Sequence, residues 1–317
     1  MGDREFDQDS TAEQVSEGID LRGRRALVTG ASGGLGAETA RVLALRGAAV
    51  TLTARDVPKG EKVAAEIRSQ TGNDAIDVMA LELVSPASVR AFAEAYLGRH
   101  GALQLLVNNA GVMACPLSRT AQGWEMQFAT NHLGHFLLTG LLLPALRAGA
   151  PARVVNVSSR GHRFSPVVFD DIHFERRPYD KWSAYGQAKS ANCLFALELD
   201  RRCAGDGVRS FSLHPGAIVT ELGRHMSPED MAELRSRAPA GGFVWKTVPC
   251  GAATSVYAAT APELDGMGGQ YLEDCRIAGP RASADAEVGY APWALDPDAA
   301  RRLWDVSEQT LGVRFAG

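Results

Sequence analysis

The sequence predicts an α/β protein, a doubly wound parallel sheet in a single domain. Three observations predict it. Short apolar runs alternate with longer stretches of helical spacing from about residue 21 onward, the order expected of strands joined by helical crossovers. The apolar runs are continuous rather than alternating, as in strands buried on both faces. The first run leads through a glycine-rich turn directly into a helical stretch.

The first strand is expected at 25–29. A helix follows over 34–46, with Leu35, Thr39, Val42, Leu43 and Leu45 forming much of one face. Next come a strand at 49–53, a helix at 61–70, a strand at 77–83 and a helix at 86–98. In the last of these Val89, Phe92, Ala93 and Tyr96 share a stripe. Residues 103–108 read as a buried strand and 130–147 as a long apolar helix. Strand 153–158, helix 183–203 and strand 208–214 continue the alternation, and 270–272 is a short last strand. Right-handed crossovers place helices on both faces, and ligands of such open sheets bind beyond the carboxyl ends of the strands. Residues 1–20 are polar, acidic and without period, and read as a flexible tail. The domain proper spans 21–317. Residues 221–248 break the alternation and are expected to form a small substrate flap, helical over 226–243. The C-terminal extension, 290–317, holds an amphipathic stretch (Ala299, Leu303, Trp304, Val306) that should pack on the body.

The chain has 317 residues, 45% apolar and 22% charged, with a formal net charge of −4. That balance carries no electrostatic footprint for nucleic acid. No apolar run reaches the roughly 18 residues of a membrane span; residues 136–146 are too short and contain Pro144. Asp3, Glu5, Asp7 and Asp9 make the N-terminus unlike a signal or transit peptide. Five cysteines (Cys115, Cys193, Cys203, Cys250, Cys275) are scattered and lack metal-ligand spacing. Free, mostly buried thiols in a reducing cytoplasm are expected, and no metal site. The Ala-, Arg- and Gly-rich composition points to a bacterial, GC-rich genome.

The turn after the first strand reads Thr29-Gly30-Ala31-Ser32-Gly33-Gly34-Leu35-Gly36. A tight turn needs residues without a Cβ, and a helix N-terminus offers unpaired amides to phosphate. Gly30 suits the turn, Gly34 a close approach to pyrophosphate, and Gly36 close packing of the helix. The spacing T-G-x-x-x-G-x-G resembles that of the short-chain dehydrogenase/reductase family, which has a Rossmann fold. More of that pattern follows in order: Asn108-Asn109-Ala110-Gly111, Asn131, Ser158-Ser159, Tyr185 with Lys189, and Pro215-Gly216 with Thr220. Ala54-Arg55-Asp56, residues 108–113 and 131–138, and 302–307 look closer still to the retinol dehydrogenase and WW-domain oxidoreductase branch.

An acidic residue at the end of the second strand would bind the adenosine ribose hydroxyls and repel a 2′-phosphate. Ala54 stands there, followed by Arg55. A guanidinium pairs with phosphate through charge-assisted hydrogen bonds, so NADP(H) is favoured over NAD(H). The resemblance implies further cofactor contacts from Ser32, Gly33, Leu35, Glu82, Leu83, Asn109, Ala110, Gly111, Pro215, Gly216, the Ile218 backbone and the Thr220 hydroxyl. Glu82 stands where the family often has an aspartate beside adenine.

Tyr185 and Lys189 lie one helical turn apart and share a face. A free phenol has a pKa near ~10, and a neighbouring ammonium lowers it. The resemblance makes Tyr185 the proton donor to a carbonyl oxygen, with Lys189 lowering its pKa and holding the nicotinamide ribose. Ser159, rather than Ser158, would hydrogen-bond the reacting oxygen, and Asn131 would hold a water leading from Lys189 to solvent. His132, His135 and His214 lie near these residues and are read as structural. Met113, residues 160–182 and the flap are expected to form the substrate wall, with Phe164, Phe169, Trp182, Met226, Phe243 and Trp245 supplying apolar surface. The implied protein is an NADP(H)-dependent oxidoreductase interconverting carbonyl and alcohol on a bulky, apolar small molecule. A homodimer or homotetramer paired through the Tyr/Lys helix is implied as well. The alternatives are a non-catalytic NADP(H)-binding sensor and a reductase of C=C or C=N bonds.

Overall fold

Strands form where the continuous apolar runs fall: β1 (Arg25–Val28), β2 (Ala49–Ala54), β3 (Ile76–Ala80), β4 (Leu105–Asn108), β5 (Ala152–Val157) and β6 (Val208–His214). In the computed structural model, which describes residues 5–224, 226–237, 242–283 and 286–315, β7 (Gln270–Glu273) joins in parallel. A two-residue strand, β8 (Arg276–Ile277), closes that edge antiparallel. The sheet order is β3-β2-β1-β4-β5-β6-β7-β8. The winding reverses between β1 and its neighbour β4, so a crevice opens beyond their carboxyl ends.

The period of two along each strand divides the core. Val28, Val107 and Val155 face a cluster built with α2 (Gly34–Leu45) and α9 (Val248–Thr260), while Leu27, Leu106 and Val154 face a cluster built with α4 (Pro86–Arg99), α6 (Gly134–Ala148) and α7 (Lys181–Cys203). The helix α3 (Val57–Thr71) crosses from β2 to β3 and begins on the Asp56 cap, which accepts from the Lys59 amide.

Several expectations change in the folded chain. The tail is ordered from at least Glu5. Thr11 and Gln14 form a capping box on α1 (Ala12–Val15), which buries Ala12 and Val15 against the α2/α9 cluster. Four residues are too few to show a helical period. The buried helix α9 escaped the reading because its small apolar residues have no contrasting polar face. The helix expected over 130–147 begins earlier and runs on without a break through α5 (Met126–Phe128), a π-helical turn at Ala129–Leu133, and α6. Among the described residues the flap forms a 3-10 turn at Glu221–Gly223 and the helix α8 (Pro228–Ser236), while His225 and residues 238–241 lie outside the described residues. The extension does pack on the body: α10 (Pro297–Leu311) lies along α7, with Leu303 and Trp304 buried. No helix among the described residues is long and apolar enough to cross a membrane.

Candidate active site

The turn after β1 is shaped for close approach. Gly30 has φ +63°, and a Cβ on it would lie 2.8 Å from Ala110 Cα. A Cβ on Gly36 would lie 2.5 Å from both the Gly30 carbonyl oxygen and Asn109 Nδ2. Both positions therefore exclude a side chain. Gly33 caps α2 without a side chain, so the first amides of that helix, at Gly34, Leu35 and Gly36, have no intrahelical partner. Thr29 ties the turn to the loop after β4. Its Oγ1 accepts from the amides of Asn109 at 2.9 Å and Ala110 at 3.0 Å, and Asn109 Nδ2 donates to its carbonyl at 2.8 Å.

One cleft of about 1530 Å³ runs along the carboxyl ends of the strands. Gly30, Ser32, Gly33, Gly34, Leu35 and Gly36 line one part of it, and Arg55, Glu82 and Leu83 the part beyond β2 and β3. Asn109, Ala110 and Gly111 line it after β4, Ser159 after β5, and Pro215, Gly216, Ile218 and Thr220 after β6. Tyr185 and Lys189 reach it from α7. Asn131 does not line it. Its side chain lies behind Val112, donating to that carbonyl at 3.0 Å and accepting from that amide at 2.9 Å.

The sheet and α7 bring the chemical groups together. Asp180 caps α7 by accepting from the Ser183 amide at 2.7 Å, which places Tyr185 in the second turn of the helix. Tyr185 is 3% exposed, and burial pushes its phenol up to about 12, partly offset by a hydrogen bond with Ser159. Lys189 Nζ donates to the Val157 carbonyl at 2.9 Å and lies 5.7 Å from the Tyr185 ring centre. Burial lowers its ammonium to about 8. Both serines line the cleft but differ in partner: Ser158 Oγ is buried and donates to the Lys189 carbonyl at 2.8 Å, whereas the Ser159 side chain hydrogen-bonds Tyr185.

Arg55 is exposed beside the cleft, and its guanidinium has no partner among the described residues. Bare helix amides, an approach free of Cβ atoms and an unpaired guanidinium at the end of the neighbouring strand β2 fit an elongated phosphate-bearing dinucleotide.

The cleft is also lined by Met113, Phe164, Trp182, Met226, Phe243 and Trp245, the side chains expected for the substrate wall. Phe169 is not among them; it packs beneath Arg302, whose guanidinium carbon lies 4.5 Å from the ring centre. Only the two ends of the 160–182 segment reach the cleft. Its middle buries Val167 and Ile172 against α7 and α10 instead. The flap is held to α7 by an ion pair of 2.5 Å between Asp230 and Lys181. The sequence reading missed Gln8, which reaches the cleft from the N-terminal segment, and nothing in the sequence signals it. It also passed over the half-buried pair of Lys246 and Asp274, 2.6 Å apart beside Gly216.

A mainly parallel sheet with a glycine-rich turn free of Cβ atoms at its reversal point, and a Tyr/Lys pair lining the same cleft, fits a nicotinamide-dependent oxidoreductase. The short chain dehydrogenase family matches residues 24–230, and the chain belongs to this family of NAD(P)-dependent enzymes. Retinol dehydrogenase 12 of Homo sapiens is 44% identical over 94% of this chain and 89% of its own length. The short-chain dehydrogenase/reductase prx1 of Penicillium roqueforti is 44% identical over 90% of this chain and 84% of its own. These likenesses put the chain in the retinol dehydrogenase-like branch. Among solved structures, an uncharacterized protein from Mycobacterium paratuberculosis superposes with TM-score 0.73 at 34% identity, covering 95% of this chain and 98% of that one. The Pseudomonas aeruginosa RhlG/NADP complex superposes with TM-score 0.64 at 28% identity, covering 80% and 95%.

Proposed function

We propose that the protein interconverts a carbonyl and an alcohol on a bulky, apolar small molecule, using NADP(H) in preference to NAD(H). Tyr185 is the general acid and base. The observation that carries this reading is the meeting of Tyr185, Ser159 and Lys189 in the same cleft as the anion-holding turn. The bound dinucleotide supplies or takes up the hydride. In the reductive direction Tyr185 passes its phenolic proton to the carbonyl oxygen, and burial keeps that proton in place at neutral pH until it is needed. In the oxidative direction the Lys189 charge favours the phenolate that accepts the proton. Ser159 hydrogen-bonds the same oxygen and holds it within reach of Tyr185. Asn131 belongs to the relay that returns the proton through Lys189 to solvent.

Arg55 supports the preference for NADP(H), since a 2′-phosphate would give the unpaired guanidinium a partner. The apolar wall of Phe164, Trp182 and Trp245 supports the substrate class, as does the likeness to proteins named for retinol. Five cysteines without a disulfide support a reducing, cytoplasmic setting. Because α10 covers α7, a homodimer or homotetramer paired there would include α10 in its interface. The test is a screen of ketones, aldehydes and alcohols with NADPH and NADP, using Tyr185→Phe as control. Turnover that survives in Tyr185→Phe overturns the mechanism, and equal use of NADH and NADPH overturns the role of Arg55.

A further inference from the structure

We propose that His135 is a positioning residue that orients the main-chain carbonyl of Asn131 toward the proton relay at Lys189, held to that task by Thr29 of the glycine-rich turn. The inference rests on the roles proposed above for Asn131, Tyr185 and Lys189. His135 lies in the first turn of α6 and is 2% exposed. Its Nδ1 is 3.0 Å from the Asn131 carbonyl oxygen, and its Nε2 is 2.9 Å from Thr29 Oγ1.

These contacts assign the tautomer. A carbonyl oxygen only accepts, so Nδ1 carries the proton and Nε2 accepts from the Thr29 hydroxyl. Thr29 is suited to donate, because its oxygen already accepts from the Asn109 and Ala110 amides. The other acceptor within its reach, the Val107 carbonyl, is farther at 3.4 Å. A continuous chain of hydrogen bonds therefore runs from the loop after β4, through Thr29 and His135, to Asn131. Only a neutral imidazole accepts at one end and donates at the other across this span.

The Asn131 side chain is pinned to Val112 by one donated and one accepted hydrogen bond, and its main-chain carbonyl is the further polar group to be aimed. The π-helical turn shifts the hydrogen-bond register by one residue. The direction of that carbonyl is thus not set by an ordinary α-helical ladder, and the imidazole supplies a fixed partner. The groups facing the ring are Lys189 on α7 and His132 on the π-turn. A charge on Lys189 opposes a second proton on His135, as does burial.

The tautomer is read directly from the intact protein by ¹⁵N-imidazole spectra, with His135 assigned by its loss in His135→Asn. The expected result is a neutral ring protonated at Nδ1 from about pH 5 to about pH 9; an Nε2–H or doubly protonated ring overturns the proposal. Kinetics with NADPH and decanal give the second readout. Asparagine keeps a donor near the Nδ1 position, whereas glutamine places its amide near Nε2 and loses that donor. His135→Asn should hold kcat within about threefold, while His135→Gln lowers it by about 10- to 100-fold, leaves KM for NADPH unchanged and moves the pH at which kcat falls. Identical kinetics in the two variants, or losses that merely follow Tm, overturn the proposal. Tyr185→Phe separates the two levels. If it retains turnover, the catalytic reading itself falls. If it is inactive while His135→Gln behaves as wild type, only the role of His135 falls.

Discussion

Tyr185→Phe removes one oxygen from a ring that is otherwise packed, with the Gly161 backbone against its edge. Folding should be preserved and kcat should fall by about 10²- to 10⁴-fold, as for loss of a general acid. Circular dichroism and NADPH binding would confirm that only the chemistry is lost. At Arg55, truncation to alanine would remove the charge-assisted hydrogen bond proposed with a 2′-phosphate, worth about 1.5–3 kcal/mol. KM for NADPH should rise roughly tenfold or more, while KM for NADH stays level. A rise of equal size for both dinucleotides would place Arg55 outside the 2′-phosphate site. The choice between Ser158 and Ser159 shows what residue types alone leave open. Both are hydroxyls at the end of a strand, and only the fold turns one toward the Lys189 carbonyl and the other toward Tyr185.

Among the elements, the glycine turn was the most legible and α9 the least. The turn is readable because its physical demands exclude other residues: Gly36 meets the Gly30 carbonyl and Asn109 at distances no Cβ tolerates. Gly36→Ala should therefore cost about 1–3 kcal/mol in urea unfolding and weaken dinucleotide binding, measured by titration of protein fluorescence. An unchanged urea midpoint would show that the turn has more room than these distances allow. The π-turn at Ala129–Leu133, Ala-Thr-Asn-His-Leu in sequence, reads as part of the ordinary helix over 130–147. One slipped hydrogen bond leaves no mark on periodicity. The flap was legible as an interruption, whereas its anchoring through Lys181 and Asp230 depends on two segments far apart in the chain.

At the scale of the whole molecule, α10 completes the core. Trp304 sits 4.9 Å from Phe136 and 6.1 Å from Phe195 between ring centres, and is 2% exposed. Trp304→Ala should cost about 3–5 kcal/mol, seen as a lower urea midpoint; a loss below about 1 kcal/mol would mean that α10 is only loosely docked. The buried histidines set a pH dependence. Burial holds His132 at about 3 and His135 and His162 at about 4, with His214 also well below its ordinary value. These folded values lie below the unfolded one, so the unfolded chain binds more protons in the window between them. The stability is present above about pH 6.5 and is lost as pH falls toward about 4, each histidine contributing up to about 1.4 kcal/mol per pH unit. Urea midpoints at pH 7.5 and 5 would check this, and equal midpoints would contradict it.

Read alone, the sequence carried the alternation of the parallel strands with most of the crossover helices, the glycine-rich turn, the family, and the residues most exposed to chemical constraint. These are legible because each rests on a local rule: a period, a missing Cβ, or two side chains one helical turn apart. Tertiary structure alone decided what depends on contacts between distant segments. It withdrew Asn131 from the cleft wall, folded the N-terminal segment against α9 and brought Gln8 to the site. It laid α10 over α7 and turned Phe169 away from the substrate end. It also joined Thr29 to Asn131 through His135, across 106 residues between Thr29 and the histidine. Such contacts follow from how layers stack on a twisted sheet, which no window of neighbouring residues records.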